Sequence, residues 1–349
     1  MATPIYEFAQ TSRGDASETG RGRAGRRGAS DQPPVVGVIY NPRSHRNLGA
    51  DFDCGLSPHV HIAQPGARAQ LPAALAELAA RGIDLLVING GDGTVRDVLT
   101  CGRPIFGDDW PAIAVLPKGK TNALTVDLGI PDAWTLQDAI HALDHGGRVR
   151  RRPMEVTPQD DSNPGSSLAG VSGFILGAGA FTTATRAGQG AHKLGAFNSL
   201  AVAVTGLWAL TQSLFAGRSN HWRRGARMRI GLGAGDVPMA HSGRGDPEMR
   251  QVLFASTLER MPAGIRPFGV LRSGLKLVAV DQISRRTTAL IPLVLLGSGP
   301  KNLRERGIHQ LAASHFTLSI DDQFILDGEA FPAGDYRVDL GPELAFVSP

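Results

Sequence analysis

The residues that could do chemistry are concentrated in a glycine-rich turn, Gly90-Gly91-Asp92-Gly93-Thr94, which directly follows a short apolar run. A sharp turn from strand to helix needs residues without Cβ atoms, and its exposed N–H groups and the helix dipole favour an anion. The pattern therefore predicts a phosphate site. Because a carboxylate repels phosphate, we interpret Asp92 as bonding ribose hydroxyls, polarising a nucleophile or holding a bridging cation. The alternative is a simple turn in which Asp92 caps the helix.

Apolar runs and helical stretches alternate from Val35 to about Leu143. This order is typical of a parallel sheet covered by helices, in which ligands bind at the loops that follow the carboxyl ends of the strands. The predicted strands are VVGVIY, IDLLVI and AIAVLP, and the predicted helices span about 67–80, 94–101 and 134–143. Two further loops at this edge carry polar groups, namely Asn41, Pro42, Arg43, Ser44 and His45 after the first strand, and Pro117, Lys118, Gly119, Lys120, Thr121 and Asn122 after the third.

The 349-residue chain is long enough for two domains, and its 42% hydrophobic content is ordinary for a folded protein. Residues 1–33 lack the apolar residues of a core, which predicts a disordered tail that is not a secretory signal. We predict an α/β domain over 34–153. The short β-type runs within 154–349 predict a largely antiparallel β-sandwich domain. Its β-type runs are VSGFIL, ARMRIGLG, QVLFAST, LKLVAV, LIPLVLL, HFTLSI and YRVDL, with a loop at Pro158–Leu168.

The cysteine content, the net charge and one uncharged segment argue against several classes of protein. Cys54 and Cys101 do not make a disulfide framework, which fits a reducing cytosol, and no zinc-ligand spacing occurs. The formal charge of +4 overstates the basicity of the folded part, because five arginines lie in the tail, and we expect no nucleic-acid partner. The uncharged segment Leu194–Gly217 is long enough to span a bilayer. We favour a helix packed on a domain or lying at a lipid interface, since polar residues recur on one face, at Asn198, Thr205 and Gln212.

The chain resembles the diacylglycerol kinase catalytic-domain family, which includes sphingosine kinases and bacterial soluble lipid kinases, and more distantly the NAD kinases. The resemblance covers roughly 35–349 and rests on four motifs in order: the NP loop at Asn41, GGDGT at Gly90, LPKGKTNALTVDLGIP, and LDGE at Leu326–Glu329. It implies a nucleotide-binding α/β domain with a parallel sheet, a β-sandwich domain for the lipid substrate, and ATP in the cleft between them.

The implied reaction transfers the γ-phosphoryl group of ATP, bound with Mg²⁺, to the hydroxyl of a lipid. Phosphoryl transfer requires positioning, stabilisation of charge and a proton acceptor. The resemblance assigns proton abstraction to the Asp-Gly-Glu motif, so we expect Glu329 to be the base, with Asp327 and Asp92 as further catalytic residues. Alone, the Asp-Gly pair is more typical of a hairpin turn. The expected nucleotide-binding residues are Asn41, Pro42, Arg43, Ser44, Gly90, Gly91, Asp92, Gly93, Thr94, Gly119, Lys120, Thr121 and Asn122.

Several positions depart from the family pattern. His45 replaces a glycine of the first loop, Arg96-Asp97 replaces Asn-Glu after GGDGT, and Ala123 removes an Asp from the third loop. Lys120 stands where the family has Thr, and its charge could substitute for part of a metal's role or simply be solvated. Arg272-Ser273-Gly274 occupies the segment that in the family holds a structural magnesium ion, and the arginine would oppose a cation. We therefore predict that this accessory site is absent.

The resemblance and these residues lead us to expect an ATP-dependent lipid kinase acting on diacylglycerol, a sphingoid base or a related lipid in phospholipid metabolism. We expect it to be cytoplasmic, with transient contact at the inner membrane surface. The alternatives are a catalytically impaired nucleotide or lipid sensor of the same fold and a kinase acting on NAD. The kinase hypothesis depends on the turns near 91 and 328 facing each other across one crevice. The sequence leaves the lipid and the oligomeric state open.

Overall fold

The computed structural model describes residues 33–47, 57–159, 170–182 and 225–349, which form two compact units. The α/β unit contains the described residues up to Pro153 together with Val171–Gly173 and Gly341–Pro349. The β unit contains those of 154–170 and 174–340. The predicted tail, the predicted helix at Leu194–Gly217, most of the predicted loop at Pro158–Leu168 and Cys54 lie outside the described residues.

The strands are numbered in chain order. They are β1 (Val36–Tyr40), β2 (Val60–Ala63), β3 (Leu85–Gly90), β4 (Ala112–Pro117), β5 (Gly147–Arg151), β6 (Met154–Pro158), β7 (Val171–Gly173), β8 (Ile175–Gly179), β9 (Ala226–Leu232), β10 (Val237–Pro238), β11 (Met249–Ser256), β12 (Leu275–Asp281), β13 (Ile308–Ala313), β14 (His315–Ile320), β15 (Phe324–Leu326), β16 (Glu329–Phe331), β17 (Gly334–Leu340) and β18 (Leu344–Ser348). The helices are α1 (Leu71–Ala80), α2 (Asp92–Phe106), α3 (Ala123–Leu128), α4 (Leu136–His145), α5 (Arg285–Thr288) and α6 (Ile291–Leu295), with 3₁₀ turns at Arg68–Gln70 and Pro262–Gly264.

The α/β unit is built on one sheet in the order β2-β1-β3-β4-β18-β5. Its first five strands in this order pair in parallel, and β5 runs antiparallel to β18 at the edge. The register places Val38 opposite Val87, and Val87 opposite Ala114, so these side chains form a buried layer. Helices α1 and α2 pack together, and their apolar faces include the buried Leu75 and Leu99. The predicted α/β fold with a parallel sheet is confirmed.

The β unit is an antiparallel sheet in the order β16-β15-β8-β11-β9-β14-β17-β6, with β12 on β11 and β13 on β12. Burial alternates along its strands, as expected for a sheet with one face in the core. In β14, for example, Phe316, Leu318 and Ile320 are buried and the residues between them are half-exposed. The predicted antiparallel C-terminal domain is confirmed. No helix within the described ranges is both long and apolar enough to cross a bilayer.

One predicted strand of this unit is wrong. The run LIPLVLL contains helix α6, because Pro292 lies in the first helical turn, where its missing N–H is not needed. A short apolar run does not distinguish a strand from a helix by periodicity. Only Val294 of this helix is buried, whereas Leu293 and the following Leu296 are exposed.

A buried cluster of charged and polar groups lies around Asp281 at the end of β12. Its carboxylate is fully buried and pairs with Arg250 and with His309, whose Nε2 lies 2.8 Å from Oδ2. The N–H of Ser242 donates to the same oxygen at 2.8 Å. Burial by itself raises the pKa of Asp281, but the hydrogen bonds of His309 and Ser242 and the charge of Arg250 outweigh it and lower the pKa to about 2. The cluster therefore requires an ionised carboxylate.

This cluster predicts acid sensitivity of the β unit. Because the pKa of Asp281 falls from 3.8 to about 2 on folding, ionised Asp281 stabilises the fold above about pH 4, and this contribution is lost as the pH falls towards 2. We expect the loss to be roughly 2 kcal/mol of the free energy of unfolding. Carboxyl-detected NMR titration of Asp281 measures the pKa directly, and a midpoint near 4 in the folded protein would contradict the prediction.

Candidate functional site

The structure brings together the three loops that follow β1, β3 and β4. The N–H of Asn41 donates to the carbonyl oxygen of Asn89 at 3.1 Å, and the N–H of Arg46 donates to that of Lys118 at 3.0 Å. The N–H of Lys118 in turn donates to the carbonyl oxygen of Gly90 at 3.2 Å. Parallel strands ending at one edge make these contacts possible, as the sequence predicts. The three loops therefore form one continuous surface of main chain.

Two glycines allow the second and third loops to touch. A Cβ atom on Gly91 would lie 2.7 Å from the Cα of Gly119, and one on Gly119 would lie 2.6 Å from the Cα of Gly91. These distances are too short for any side chain, and both obstacles are main-chain atoms that cannot rotate away. Asn122 holds the third loop in place, since its Oδ1 accepts the N–H of Gly119 at 2.7 Å. The role of glycine here is therefore close approach of two backbones.

The first loop is fixed to the glycine-rich turn by side chains. The amide Nδ2 of Asn41 donates to the hydroxyl of Thr94 at 2.8 Å, and its Oδ1 accepts the N–H of Arg43 at 3.0 Å. Thr94 occupies the space beside Gly90, where a Cβ atom would lie 2.5 Å from the threonine side chain. The residue types at Asn41, Gly90 and Thr94 therefore depend on one another. The guanidinium of Arg43 points to another segment and donates to the carbonyl oxygen of Gly66 at 2.7 Å.

Helix α2 begins at this surface. Gly91 is its extended N-cap residue and makes no side-chain cap. Among the described residues, the N–H of Gly93 donates no hydrogen bond, whereas the N–H of Asp92 lies against the carboxylate of Asp92 itself. Unsatisfied N–H groups of a first helical turn, together with the helix dipole, favour an anion. The 15-residue length of α2 gives this end a full macrodipole.

Asp92 has a role that the sequence did not indicate. Its carboxylate accepts the N–H groups of Ala123 at 3.1 Å and of Leu124 at 3.3 Å, so it caps α3 rather than its own helix. Burial raises the pKa of Asp92, and these backbone hydrogen bonds oppose the shift. The carboxylate thereby fixes the third loop and the start of α3 against α2. Its expected catalytic role stays a prediction.

Sequence reasoning missed two asparagines beneath the loops. Asn89 is fully buried at the end of β3, and its Oδ1 accepts from the amide of Asn47 at 2.8 Å. The Nδ2 of Asn89 is buried without a hydrogen-bond partner among the described residues. Buried polar groups are normally satisfied, so this donor is available to a ligand or an ordered water. A polar residue at the carboxyl end of the apolar run LLVIN was the available signal.

The remaining predicted residues of these loops differ in how deeply they are buried. Ser44 is buried, and its N–H donates to the carbonyl oxygen of Asn41 at 3.1 Å. Lys120 and Thr121 are exposed at the tip of the third loop. Arg96, at a position where the family pattern differs, is buried and pairs with Asp97, which also pairs with Arg68. The departure from the family pattern at 96–97 therefore forms an internal ion-pair network.

The LDGE motif forms the tight turn between β15 and β16 in the β unit. Asp327 and Gly328 both have positive φ values, 44° and 83°, and Leu326 pairs with Glu329 across the hairpin. Two positive φ values between paired strands are typical of a type I′ turn, which favours Asp-Gly. The carboxylate of Asp327 accepts the N–H groups of Phe174 and Ile175 at 2.9 to 3.2 Å. Asp327 therefore fastens the turn to the start of β8.

Glu329 is the first residue of β16 and is half-buried. Because the hairpin is held by Asp327, the direction in which the Glu329 side chain leaves the sheet is set by the strand and not by a mobile loop. Glu329 and Asp327 belong to the β unit, and the glycine-rich turn belongs to the α/β unit. The prediction that the two turns face one crevice stays a prediction, as do the catalytic assignments.

In the segment Arg272-Ser273-Gly274, basic side chains bind main-chain carbonyls. The guanidinium of Arg272 donates to the carbonyl oxygen of Gly269 at 2.7 Å, and the Nζ of the buried Lys276 donates to that of Gly274 at 3.0 Å. The ranges that the structure describes contain no group of three or more His, Cys, Asp or Glu side chains suited to a metal ion. The predicted absence of an accessory magnesium site stays a prediction.

A comparison with protein families gives one match in this part of the chain. Residues 35–156 match the family model of the diacylglycerol kinase catalytic domain. The predicted family resemblance is confirmed over these residues, and the LDGE motif lies outside the matched segment. The matched segment runs from β1 into β6 and includes all three loops of the candidate site.

Curated relatives match within a short stretch. A protein of Escherichia coli O6:K15:H31 (strain 536 / UPEC) named "Probable lipid kinase YegS" is 35% identical over 80 residues, which is 23% of this chain and 26% of the relative. The protein of the same name from Shigella flexneri is 34% identical over 80 residues, with the same coverage. The aligned stretch thus spans about a quarter of the length of these relatives.

A solved structure extends the similarity of fold to both units. The crystal structure of a diacylglycerol kinase from Bacillus anthracis str. Sterne superposes with a TM-score of 0.58 at 15% sequence identity. The alignment covers 90% of this chain and 97% of that chain. At this identity the similarity shows the fold, an α/β unit followed by an antiparallel unit, and not the substrate.

Proposed function

We propose that the protein is an ATP-dependent kinase that transfers the γ-phosphoryl group to a hydroxyl of diacylglycerol, a sphingoid base or a related lipid. The observation that carries this proposal is the joined surface of three loops at the start of α2. There, the main chain of Gly91 lies against that of Gly119, and the N–H of Gly93 donates no hydrogen bond to a described residue. The family match over 35–156 and the names of the curated relatives support a lipid kinase.

The nucleotide side fits the phosphates of ATP. The N–H of Gly93, at the start of α2, donates no hydrogen bond to a described residue, and phosphate oxygens accept such donors. Lys118 and Lys120 add positive charge beside them. These residues suit an anion, and a magnesium ion bound with the nucleotide would neutralise part of the phosphate charge. Asp92 contributes by fixing α3, because its oxygens already accept two backbone N–H groups.

On the acceptor side we assign Glu329 as the general base and Asp327 as the residue that positions it. Glu329 takes the proton of the lipid hydroxyl while the hydroxyl oxygen forms its bond to the γ-phosphorus. The bond between the γ-phosphorus and the bridging oxygen breaks, and ADP leaves with the electron pair. A carboxylate suits this role because it accepts a proton without covalent chemistry of its own. The hydrogen bonds of Asp327 to Phe174 and Ile175 hold the turn rigid.

The test is a direct search for product. Purified protein is incubated with ATP labelled in the γ-phosphate, magnesium and a total lipid extract, and the lipids are separated. We expect label in a phospholipid that is absent without protein. Consumption of ATP with NAD instead of lipid would assign the protein to the NAD kinase alternative. Binding of ATP without transfer to any lipid would favour the sensor alternative, and either result would overturn the proposal.

A further inference from the structure

Three large apolar side chains are exposed on two neighbouring segments of the β unit. Val270 is 88% exposed, Leu296 is 64% exposed and Leu293 is 47% exposed. The segments lie side by side, because the N–H of Arg266 donates to the carbonyl oxygen of Leu295 at 2.6 Å. We refer to the exposed side chains of Val270, Leu293 and Leu296 together as the α6 face. Single exposed apolar residues are common, whereas a group of three on adjacent segments indicates an interaction surface.

The chain around the α6 face is strongly basic. Between residues 265 and 306 the sequence contains eight Arg and Lys residues but two acidic residues, Asp281 and Glu305. Asp281 is fully buried and paired with Arg250, so it offers no negative charge to the surface. Within residues 265–306 the exposed cations are Arg266, Arg272, Arg285, Arg286, Lys301 and Arg304.

A polar cavity opens beside the start of α5. It has a volume of about 610 Å³ and is lined by two arginines, Arg244 and Arg285, with Gln251, Gln282 and Ser284. No carboxylate belongs to the described lining, and neither arginine has an ion-pair partner among the described residues. Guanidinium and amide groups around a cavity of this size suit the phosphate of a lipid headgroup.

We propose that the α6 face docks on a bilayer containing anionic phospholipids, with Val270, Leu293 and Leu296 entering the interface and the surrounding arginines binding headgroup phosphates. Exposed apolar side chains close in the chain to exposed cations match the chemistry of an anionic interface, where apolar burial and electrostatic attraction add together. The uncharged segment 194–217, which lies outside the described residues, would complement the apolar side chains but not the cations. The docking does not depend on phosphoryl transfer, so it is measured without ATP.

The test uses flotation of the full chain with vesicles of phosphatidylcholine, with and without phosphatidylglycerol. Wild-type protein is expected to bind the anionic vesicles and to dissociate as salt is raised. Leu293→Ser with Leu296→Ser is expected to weaken binding roughly tenfold. Arg285→Gln with Arg286→Gln is expected to weaken it roughly 25-fold, since each cation near an anionic surface contributes about a fivefold change in affinity. Thermal unfolding of each variant is measured as well, and we expect it to match that of the wild type, so that a loss of binding reflects the α6 face and not the fold.

Matched controls change the same residue types elsewhere in the β unit. Val237→Ser, at an apolar residue that is 61% exposed, and Arg229→Gln, on the exposed side of β9, are expected to bind as wild type. Equal binding to both vesicle types, or equal loss in the controls and the α6-face variants, would overturn the proposal. If the variant Leu293→Ser with Leu296→Ser instead loses self-association and keeps its vesicle binding, the α6 face is assigned to contact with a second copy of this chain. That result would also overturn the proposal. Lipid phosphorylation without vesicle binding would reject this inference and keep the proposed function.

Discussion

Replacing Glu329 with Gln is expected to lower the turnover number of lipid phosphorylation by roughly 10² to 10⁴. The amide keeps the size of the side chain and its place at the start of β16 but does not accept the hydroxyl proton. ATP affinity is expected to stay unchanged, because the proposed nucleotide donors lie in the α/β unit. Steady-state kinetics with labelled ATP, together with equilibrium binding of ATP, separates loss of the base from loss of the nucleotide site.

A matched control for this variant is Asp322→Asn, which neutralises an exposed acid close to the same hairpin. We expect it to turn over like wild type, because Asp322 precedes β15 and its carboxylate bonds, within the part of the chain that the structure describes, only to the neighbouring N–H of Gln323. A Glu329→Gln enzyme with wild-type turnover would remove Glu329 from the mechanism. Equal losses in both variants would instead indicate a general effect of charge near the turn.

Replacing Gly91 with Ala is expected to lower ATP affinity by at least about tenfold. The added Cβ would lie 2.7 Å from the Cα of Gly119, so the second and third loops must separate. Such overpacking against main chain costs roughly 1 to 3 kcal/mol, which we expect as a lower free energy of unfolding of the α/β unit. Binding of ATP measured by calorimetry and unfolding in urea report the two effects separately.

Gly66→Ala is the matched control in the same unit. Its Cβ would meet the flexible end of Gln70 at 3.4 Å, which is ordinary contact, and its φ is not in the left-handed region. We expect ATP affinity and stability within error of wild type. If Gly91→Ala binds ATP as well as Gly66→Ala, the approach of the two loops is not needed for the nucleotide, and the observation that carries the proposed function fails.

Much of the α/β unit follows from local pattern. The apolar run AIAVLP is strand β4 with the predicted bounds, and the predicted helix at 94–101 lies inside α2, which continues past Pro104 to Phe106. Buried parallel strands are apolar along their whole length, so their residues identify them without knowledge of partners. The meeting of three loops at one edge follows from the same topology, because parallel strands point their carboxyl ends the same way.

The local sequence pattern did not predict the structure at positions where the structure depends on contacts with distant segments of the chain. LIPLVLL has the composition of a strand, but it forms α6, since Pro292 suits the first helical turn and none of the described strands pairs with this run. Strand β2 has a mixed polar pattern and forms because its backbone pairs with β1. The Asp-Gly pair at 327–328 could be read as a turn, but its anchoring to Phe174 and Ile175 could not.

The sequence by itself determined the glycine-rich turn, the order of strands and helices around it, and the family resemblance. Each of these features depends on residues that are close to one another in the chain. The tertiary structure decided that β18 inserts beside β4, at the far end of the chain from it, and that the Asp92 carboxylate caps α3. It also decided which of the apolar side chains in the β unit remain exposed. These features depend on contacts between distant segments, whose free energies are set by the packed partners and not by any local pattern of residues.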